Sequence, residues 1–311
     1  MFKILLIDSV HPLITEELKK LGCIVDYYPD FGRKEFLTVA GYYDGIIIRS
    51  KIKIDKEFLD LATNLRFIGR VGAGMENIDT AYATQKGVLC LNSPEGNRDA
   101  VAEHALGMLL SLLNHINRAD LQVRRGIWIR EGNRGTEIKG KTVGIIGYGN
   151  MGSAFARRLQ GFDVDVVSYD KYKTGYSDGY TQERPLEALF EQADILSLHV
   201  PLTDETRYMV NHDFISGFRK NIWLINTSRG AVVNTTHLVD LLRSGKIMGA
   251  VLDVLEYEDN SFEVLSEQAH PALEYLFKSD NVILTPHIAG WTHESNVKLA
   301  QVLVDKIRKI L

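Results

Sequence analysis

The feature that most limits how this chain can fold is an alternation running its whole length, in which short, predominantly apolar runs are separated by longer segments of helical periodicity. Runs at 3–7, 24–28, 45–49, 65–71 and 88–92 form one series, and runs at 142–146, 164–169, 195–200, 222–226, 250–254 and 282–285 form a second. A strand that is apolar at every position has both faces buried, as in a parallel sheet covered by helices on both sides. Helical patterns at 15–21, 56–62 and 295–311 fit between and after the runs. At 311 residues the chain is too long for one ordinary hydrophobic core, so the two series predict two α/β domains with parallel sheets. Asp99 offers an N-cap to a helix over 100–117. Val101, Ala102, Ala105, Leu106, Met108, Leu109, Leu110, Leu112 and Leu113 lie on nearly every face of it, which predicts burial between domains or between subunits. An arginine- and glycine-rich stretch at 123–135 reads as a loop.

Composition removes several function classes. The formal net charge of −4 leaves no basic face for a polyanion, which argues against nucleic-acid binding as the main function. Cys23 and Cys90 are the only cysteines, a usage that predicts reduced thiols and a cytoplasmic setting. The apolar run at 3–7 is too short for a signal peptide, and no stretch approaches the ~18 apolar residues of a membrane span. His270, His287 and His293 are far apart, with no Cys among them, so no metal site is expected.

The second series opens on Val143-Gly-Ile-Ile-Gly-Tyr-Gly-Asn-Met-Gly152, with Gly147, Gly149 and Gly152 in GxGxxG spacing. The first glycine turns the chain out of its strand, the second lets backbone approach a pyrophosphate, and the third lets helix and strand pack closely. Amides at the start of the next helix then face the anion. Such a turn is a weak signal alone, but here a strand precedes it and a helix follows. Asp170 closes the next strand, 18 positions after Gly152, where a carboxylate accepts hydrogen bonds from the adenosine ribose and repels a 2′-phosphate. The cofactor expected is NAD.

Three polar residues stand just beyond later strands, on the edge where open α/β sheets bind ligands. They are Arg229 in Ile225-Asn-Thr-Ser-Arg-Gly230, Glu258 in Asp253-Val-Leu-Glu-Tyr-Glu258, and His287 in Leu284-Thr-Pro-His-Ile-Ala-Gly290. Oxidation of a 2-hydroxy acid needs a cation for the carboxylate, an acid/base group near the hydroxyl and a carboxylate to orient that group. Arg, His and Glu meet those needs.

These motifs resemble the D-isomer-specific 2-hydroxyacid dehydrogenases over essentially the whole chain. Arg70-Val-Gly-Ala-Gly-Met-Glu-Asn-Ile-Asp79 is similar to that family's substrate loop, Gly147–Gly152 to its cofactor turn, and Asn226–Ala231 and Pro286–Gly290 to its two catalytic signatures. The resemblance implies two Rossmann-like/flavodoxin-like domains. The discontinuous substrate domain would comprise 1–98 and 288–311, and the NAD domain 99–287, with the long helix as hinge and part of a homodimer interface. It implies that amides at Gly72, Ala73 and Gly74 hold the substrate carboxylate together with Arg229, and that His287 is the acid/base. Asn150, Met151, Val200, Pro201, Thr227, Asp253 and Gly290 join the cofactor site, with Asp253 toward the nicotinamide amide or ribose. The family commonly continues from its catalytic glutamate into proline, whereas this chain has Glu258-Asp-Asn-Ser, so Glu256 is kept as the alternative orienter. Ile48-Arg-Ser50 and the 70–79 loop most resemble phosphoglycerate dehydrogenases, in a short form without a regulatory domain. Arg49 and Ser50 would then meet a substrate phosphate, with Arg124, Arg125, Arg130 and Arg134 as further cations. The substrate expected is 3-phosphoglycerate and its keto form. Hydroxypyruvate/glyoxylate reductase and D-lactate-type activity are alternatives, and an NAD-sensing corepressor-like binding protein is a distant one.

Overall fold

The computed structural model describes residues 1–258 and 270–311. They form two compact units, the first comprising Met1–Arg98 with Trp291–Leu311 and the second Asp99–Gly290. The second crossing falls three residues beyond the expected 287, because the amides of Ile288 and Ala289 bond to Asp253 and keep that stretch with the second unit. Among the described residues no helix is long and apolar enough to cross a membrane.

The first unit runs β1 (Lys3–Leu6), α1 (Pro12–Lys20), β2 (Ile24–Tyr27), α2 (Arg33–Val39), β3 (Gly45–Ile48), α3 (Lys56–Leu61), β4 (Phe67–Arg70), α4 (Thr80–Gln85) and β5 (Leu89–Asn92). Its wholly parallel sheet has the flavodoxin-like order β2-β1-β3-β4-β5. The continuous apolar runs are explained by burial on both faces. Ile46 and Ile48 pack with Phe36 and Phe58 on one side, while Ile47 packs with Ile4 and Leu6 on the other. That second face is closed by the helix His293–Arg308 through Ala300, Leu303, Val304 and Ile307. The helix starts at His293, ahead of the expected 295, because Thr292 and Ser295 cap each other's backbone amides at 3.0 Å.

The second unit contains α5 (Arg98–Leu113), α6 (Ile116–Arg124), β6 (Thr142–Ile146), α7 (Asn150–Arg158), β7 (Asp165–Tyr169), β8 (Gln182–Glu183), α8 (Leu186–Gln192), β9 (Ile195–Leu198), α9 (His212–Ser216), β10 (Ile222–Asn226), α10 (Thr235–Arg243), β11 (Ile247–Leu252), α11 (Pro271–Lys278) and β12 (Val282–Leu284). The helix His293–Arg308, α12, returns to the first unit. The sheet is again wholly parallel, in the order β12-β11-β10-β9-β6-β7-β8, which makes the topological switch point the gap between β6 and β9.

The long apolar helix is shorter than its sequence pattern predicts. It ends at Leu113, where His115 takes a left-handed φ of 53° before α6 begins. Its apolarity is absorbed inside the second unit, where Ala105, Leu109 and Leu112 pack on Ile145, Ile195, Ile225 and Val251 of the sheet. A run of exposed apolar side chains lies in the following segment, 116–129, whose helix Ile116–Arg124 overlaps the expected loop only at 123–124.

Candidate active site

In the second unit the predicted residues gather at the C-terminal ends of six parallel strands. Gly147–Gly152 follow β6, Asp170 follows β7, Val200 and Pro201 follow β9, Thr227–Arg229 follow β10, Asp253–Glu258 follow β11 and Thr285–His287 follow β12. The glycines show the steric division of labour that a pyrophosphate-binding turn requires. Gly147 has φ +91°, and a Cβ there would sit 2.4 Å from the His199 carbonyl oxygen. A Cβ at Gly152 would lie 2.1 Å from the Gly147 carbonyl oxygen, so strand and helix could not pack as closely. At Gly149 a Cβ would meet nothing within 4 Å, and this open backbone borders the start of α7. The first amides of α7, those of Asn150 and Met151 among them, have no intrahelical acceptors and suit an anion. The Thr227 hydroxyl is buried without a hydrogen-bond partner, which marks a polar atom awaiting a ligand. NAD therefore fits the residues present.

Asp170 is half-buried, with Oδ2 accepting from the Tyr148 amide at 2.9 Å and Oδ1 from the Tyr172 amide at 3.0 Å. A carboxylate retains further lone pairs for ribose hydroxyls. The neighbouring cations are engaged within the chain, since Lys171 pairs with Glu205 and Lys173 donates to the Tyr148 carbonyl at 2.9 Å. A 2′-phosphate would thus meet a fixed anion. Asp170→Ala is expected to weaken NADH and relax the preference over NADPH, measured by kcat/KM with each cofactor. Equal wild-type efficiency with both would contradict this assignment.

His199, which the sequence reading passed over, lies at the same strand edge beside Val200. Its Nε2 is 2.9 Å from Ser197 Oγ, its Nδ1 is buried without a partner, and burial pushes its pKa down to about 4. It is a neutral imidazole at working pH.

The candidate reacting residues are held by their own loops. His287 Nδ1 lies 2.7 Å from Glu258 Oε2, both side chains being largely buried at 21% and 17% exposure. The other Glu258 oxygen accepts from the Leu255 amide. Glu256 is turned elsewhere, accepting from Tyr208 Oη at 2.7 Å and from the Thr235 amide at the start of α10 at 2.9 Å. Of the two carboxylates it is Glu258 that meets His287, and residues 259–261 lie outside the described residues. Arg229 is set by Asn226, whose Nδ2 donates to the Arg229 carbonyl at 3.0 Å and whose Oδ1 accepts from Ser228. Gly230 then passes so close to Leu255 that a Cβ would lie 2.0 Å from its carbonyl. Gly290 closes the unit after Ala289.

Asp253, expected at the cofactor, is held within the chain and keeps a lone pair on Oδ2. It is 1% exposed, and its oxygens are taken by the Thr285 hydroxyl at 2.6 Å and the amides of Ile288 and Ala289 at 2.8 and 2.9 Å. The acceptors bind the His287 loop.

In the first unit the 70–79 loop follows β4. Gly72 has φ +152°, and its amide already donates to Ser93 Oγ at 3.1 Å, so it is not one of the carboxylate-binding amides expected there. Among the described residues the amides of Ala73 and Gly74 have no acceptor within the chain. The Arg49 guanidinium lies over the Trp291 ring, 4.5 Å from its centroid. The amides of Arg49, Ser50 and Lys51 all point at the Asp8 carboxylate, at 2.6, 3.4 and 3.1 Å. Of the loop arginines, Arg124 pairs with Asp120 and Arg134 with Glu131.

Comparison with known proteins converges on one family. The domain family described as D-isomer specific 2-hydroxyacid dehydrogenase, NAD binding domain, matches residues 106–289. A hydroxypyruvate reductase of Thermotoga maritima is 34% identical over 90% of this chain and 88% of its own length. A D-3-phosphoglycerate dehydrogenase of Archaeoglobus fulgidus is 32% identical over 98% of this chain, which spans only 56% of that protein. Among solved structures, the D-lactate dehydrogenase of Aquifex aeolicus complexed with NAD and lactic acid superposes with a TM-score of 0.82 at 28% identity, covering 99% of this chain and 95% of that one. The chain belongs to the D-isomer-specific 2-hydroxyacid dehydrogenases, NAD-dependent oxidoreductases that act on the CH–OH group of their donors.

Proposed function

We propose that this chain interconverts a D-2-hydroxy acid and its 2-keto acid, with His287 as acid/base, Glu258 as its orienter and Arg229 as the carboxylate cation. The observation that carries this reading is the 2.7 Å pair between His287 Nδ1 and Glu258 Oε2 at the ligand-binding edge of the sheet. Glu258 engages Nδ1, so the exchanged proton is carried on Nε2. In the reducing direction that proton goes to the carbonyl oxygen, and the imidazolium it leaves from is stabilised by the Glu258 anion. NADH, when bound, supplies the hydride to the 2-carbon. Arg229 holds the substrate carboxylate in two parallel bonds. NADH oxidation followed across a panel of 2-keto acids tests the reading, and a protein inactive with all of them would instead fit an NAD-sensing binding role.

For the substrate we propose 3-phosphoglycerate and its keto form, which would place the enzyme in serine biosynthesis in the cytoplasm. Both thiols are free, as such a reducing setting requires. The supporting feature is Arg49 just beyond β3, stacked on Trp291 and in no carboxylate ion pair among the described residues. Ser50 and the amides of Ala73 and Gly74 complete the proposed substrate contacts. The Asp8 carboxylate favours a second reading, an uncharged 3-position as in hydroxypyruvate or glyoxylate, because it already fills the 49–51 amides with negative charge. On the first reading phosphohydroxypyruvate has the highest kcat/KM in wild type, and Arg49→Ala raises its KM while sparing unphosphorylated acids. If hydroxypyruvate or glyoxylate leads in wild type, the second reading replaces it.

We also propose a homodimer, supported by Leu121, Val123, Ile127, Trp128 and Ile129, a run of exposed apolar side chains in which Trp128 is 79% exposed. The double substitution Leu121→Asp with Trp128→Asp should halve the mass seen by light scattering. An unchanged mass would place the interface elsewhere.

A further inference from the structure

The left-handed backbone of His287 is an unusual place for a reacting residue. Its φ is +55°, a region L-residues with a side chain occupy only where the surroundings over-determine it. Four hydrogen bonds to one residue do so here. The Asp253 carbonyl accepts from the His287 amide at 2.8 Å, and the Asp253 carboxylate accepts from the next two amides, Ile288 and Ala289, and from the Thr285 hydroxyl two residues before. Asp253 thus grips the chain on both sides of His287.

A further residue is tied to this grip. Thr285 Oγ1 has one proton, and its 2.6 Å contact with the Asp253 carboxylate consumes it. Toward His104 Nε2, 3.0 Å away, the same oxygen can only accept. The proton of His104 therefore sits on Nε2, which also lies 3.6 Å from Asp253 Oδ1. His104 projects from α5 in the same unit, so the longest helix of the unit is tied to the loop that carries His287.

We infer that His104, Thr285 and Asp253 form a positioning relay, with the donor His104 and the hydroxyl Thr285 fixing the Asp253 carboxylate, and Asp253 fixing the backbone that aims the His287 imidazole. None of the three needs to touch substrate. The inference rests on the proposed role of His287, and its test separates the two. Amide hydrogen exchange in the ligand-free protein is compared for wild type, Thr285→Val, Thr285→Ser and His104→Phe. NADH affinity by fluorescence titration and kcat and KM for the best 2-keto acid are measured alongside. Thr285→Val should speed exchange at Ile288 and Ala289 and lower kcat by about 10²-fold, the scale of a misplaced catalytic group, with KM and NADH affinity held. Thr285→Ser, which keeps the hydroxyl, should restore both readouts. His104 is 22% exposed, so His104→Phe is well tolerated sterically and should show the same changes in weaker form. Weakened NADH binding with unchanged exchange at 287–290 would overturn the relay and return Asp253 to the cofactor. If the exchange changes appear but His287→Asn keeps full activity, the relay stands as a structural device and the role of His287 fails instead.

Discussion

Replacing His287 with Asn should leave NADH affinity unchanged and lower kcat by about 10²–10⁴-fold, the usual scale of a lost general acid/base. Asn keeps a hydrogen-bonding group of similar reach, so the loop need not rearrange, but it carries no exchangeable proton of the right kind. Glu258→Gln should lose part of the same rate, because the anion 2.7 Å from Nδ1 no longer favours the charged imidazole. Glu256→Gln is the control. Its carboxylate serves Tyr208 and the first turn of α10, so that change should cost stability and leave kcat nearly intact. Single-turnover rates with NADH separate chemistry from product release. A larger rate loss in Glu256→Gln than in Glu258→Gln would reverse the assignment of the orienter.

Arg229→Ala is expected to lower kcat/KM by about 10²–10⁴-fold, equivalent to roughly 2.7–5.4 kcal/mol, since truncation leaves the substrate carboxylate without its charged partner. Arg229→Lys should recover only part, because an ammonium cannot reproduce the planar fork. Asn226 holds the turn around Arg229, and the guanidinium adds a bond to the Ser228 carbonyl at 2.6 Å, so thermal melting should show at most a small loss in either variant. Unchanged kcat/KM in the alanine variant would remove Arg229 from the site.

The strands were legible because their physics is simple. A parallel strand covered on both faces is apolar at every position, as Gly45–Ile48 and Ile247–Leu252 are, and the shortness of such a run sets it apart from a buried helix. What escaped notice has the opposite character. β8 is two polar residues, Gln182–Glu183, at a sheet edge, and α4 is a short helix with one buried residue, Ala83. The break between α5 and α6 depends on one left-handed histidine with no glycine to announce it. At the site, residue types and strand-end positions pointed to Arg229, Glu258 and His287, but not to the directions in which side chains turn. Asp253 and Glu256 both follow β11, yet one folds back to the His287 loop and the other to α10, a choice set by contacts distant in sequence. His104 carried no signal at all, because its partner Thr285 is 181 residues away.

The return of α12 to the first unit has a consequence for synthesis. The strands of that unit are complete once residue 92 has been made, yet one face of their sheet, Ile4, Leu6 and Ile47 included, is closed by side chains at 300–307. At about 5–20 residues per second, a ribosome needs on the order of 10–40 s to make the roughly 200 residues in between. Throughout that interval the second unit can gather around its own sheet while the first exposes an apolar surface to solvent. Nascent chains stalled before residue 293 should accordingly be held by chaperones at their amino-terminal part, and synthesis of α12 would be the step that releases them.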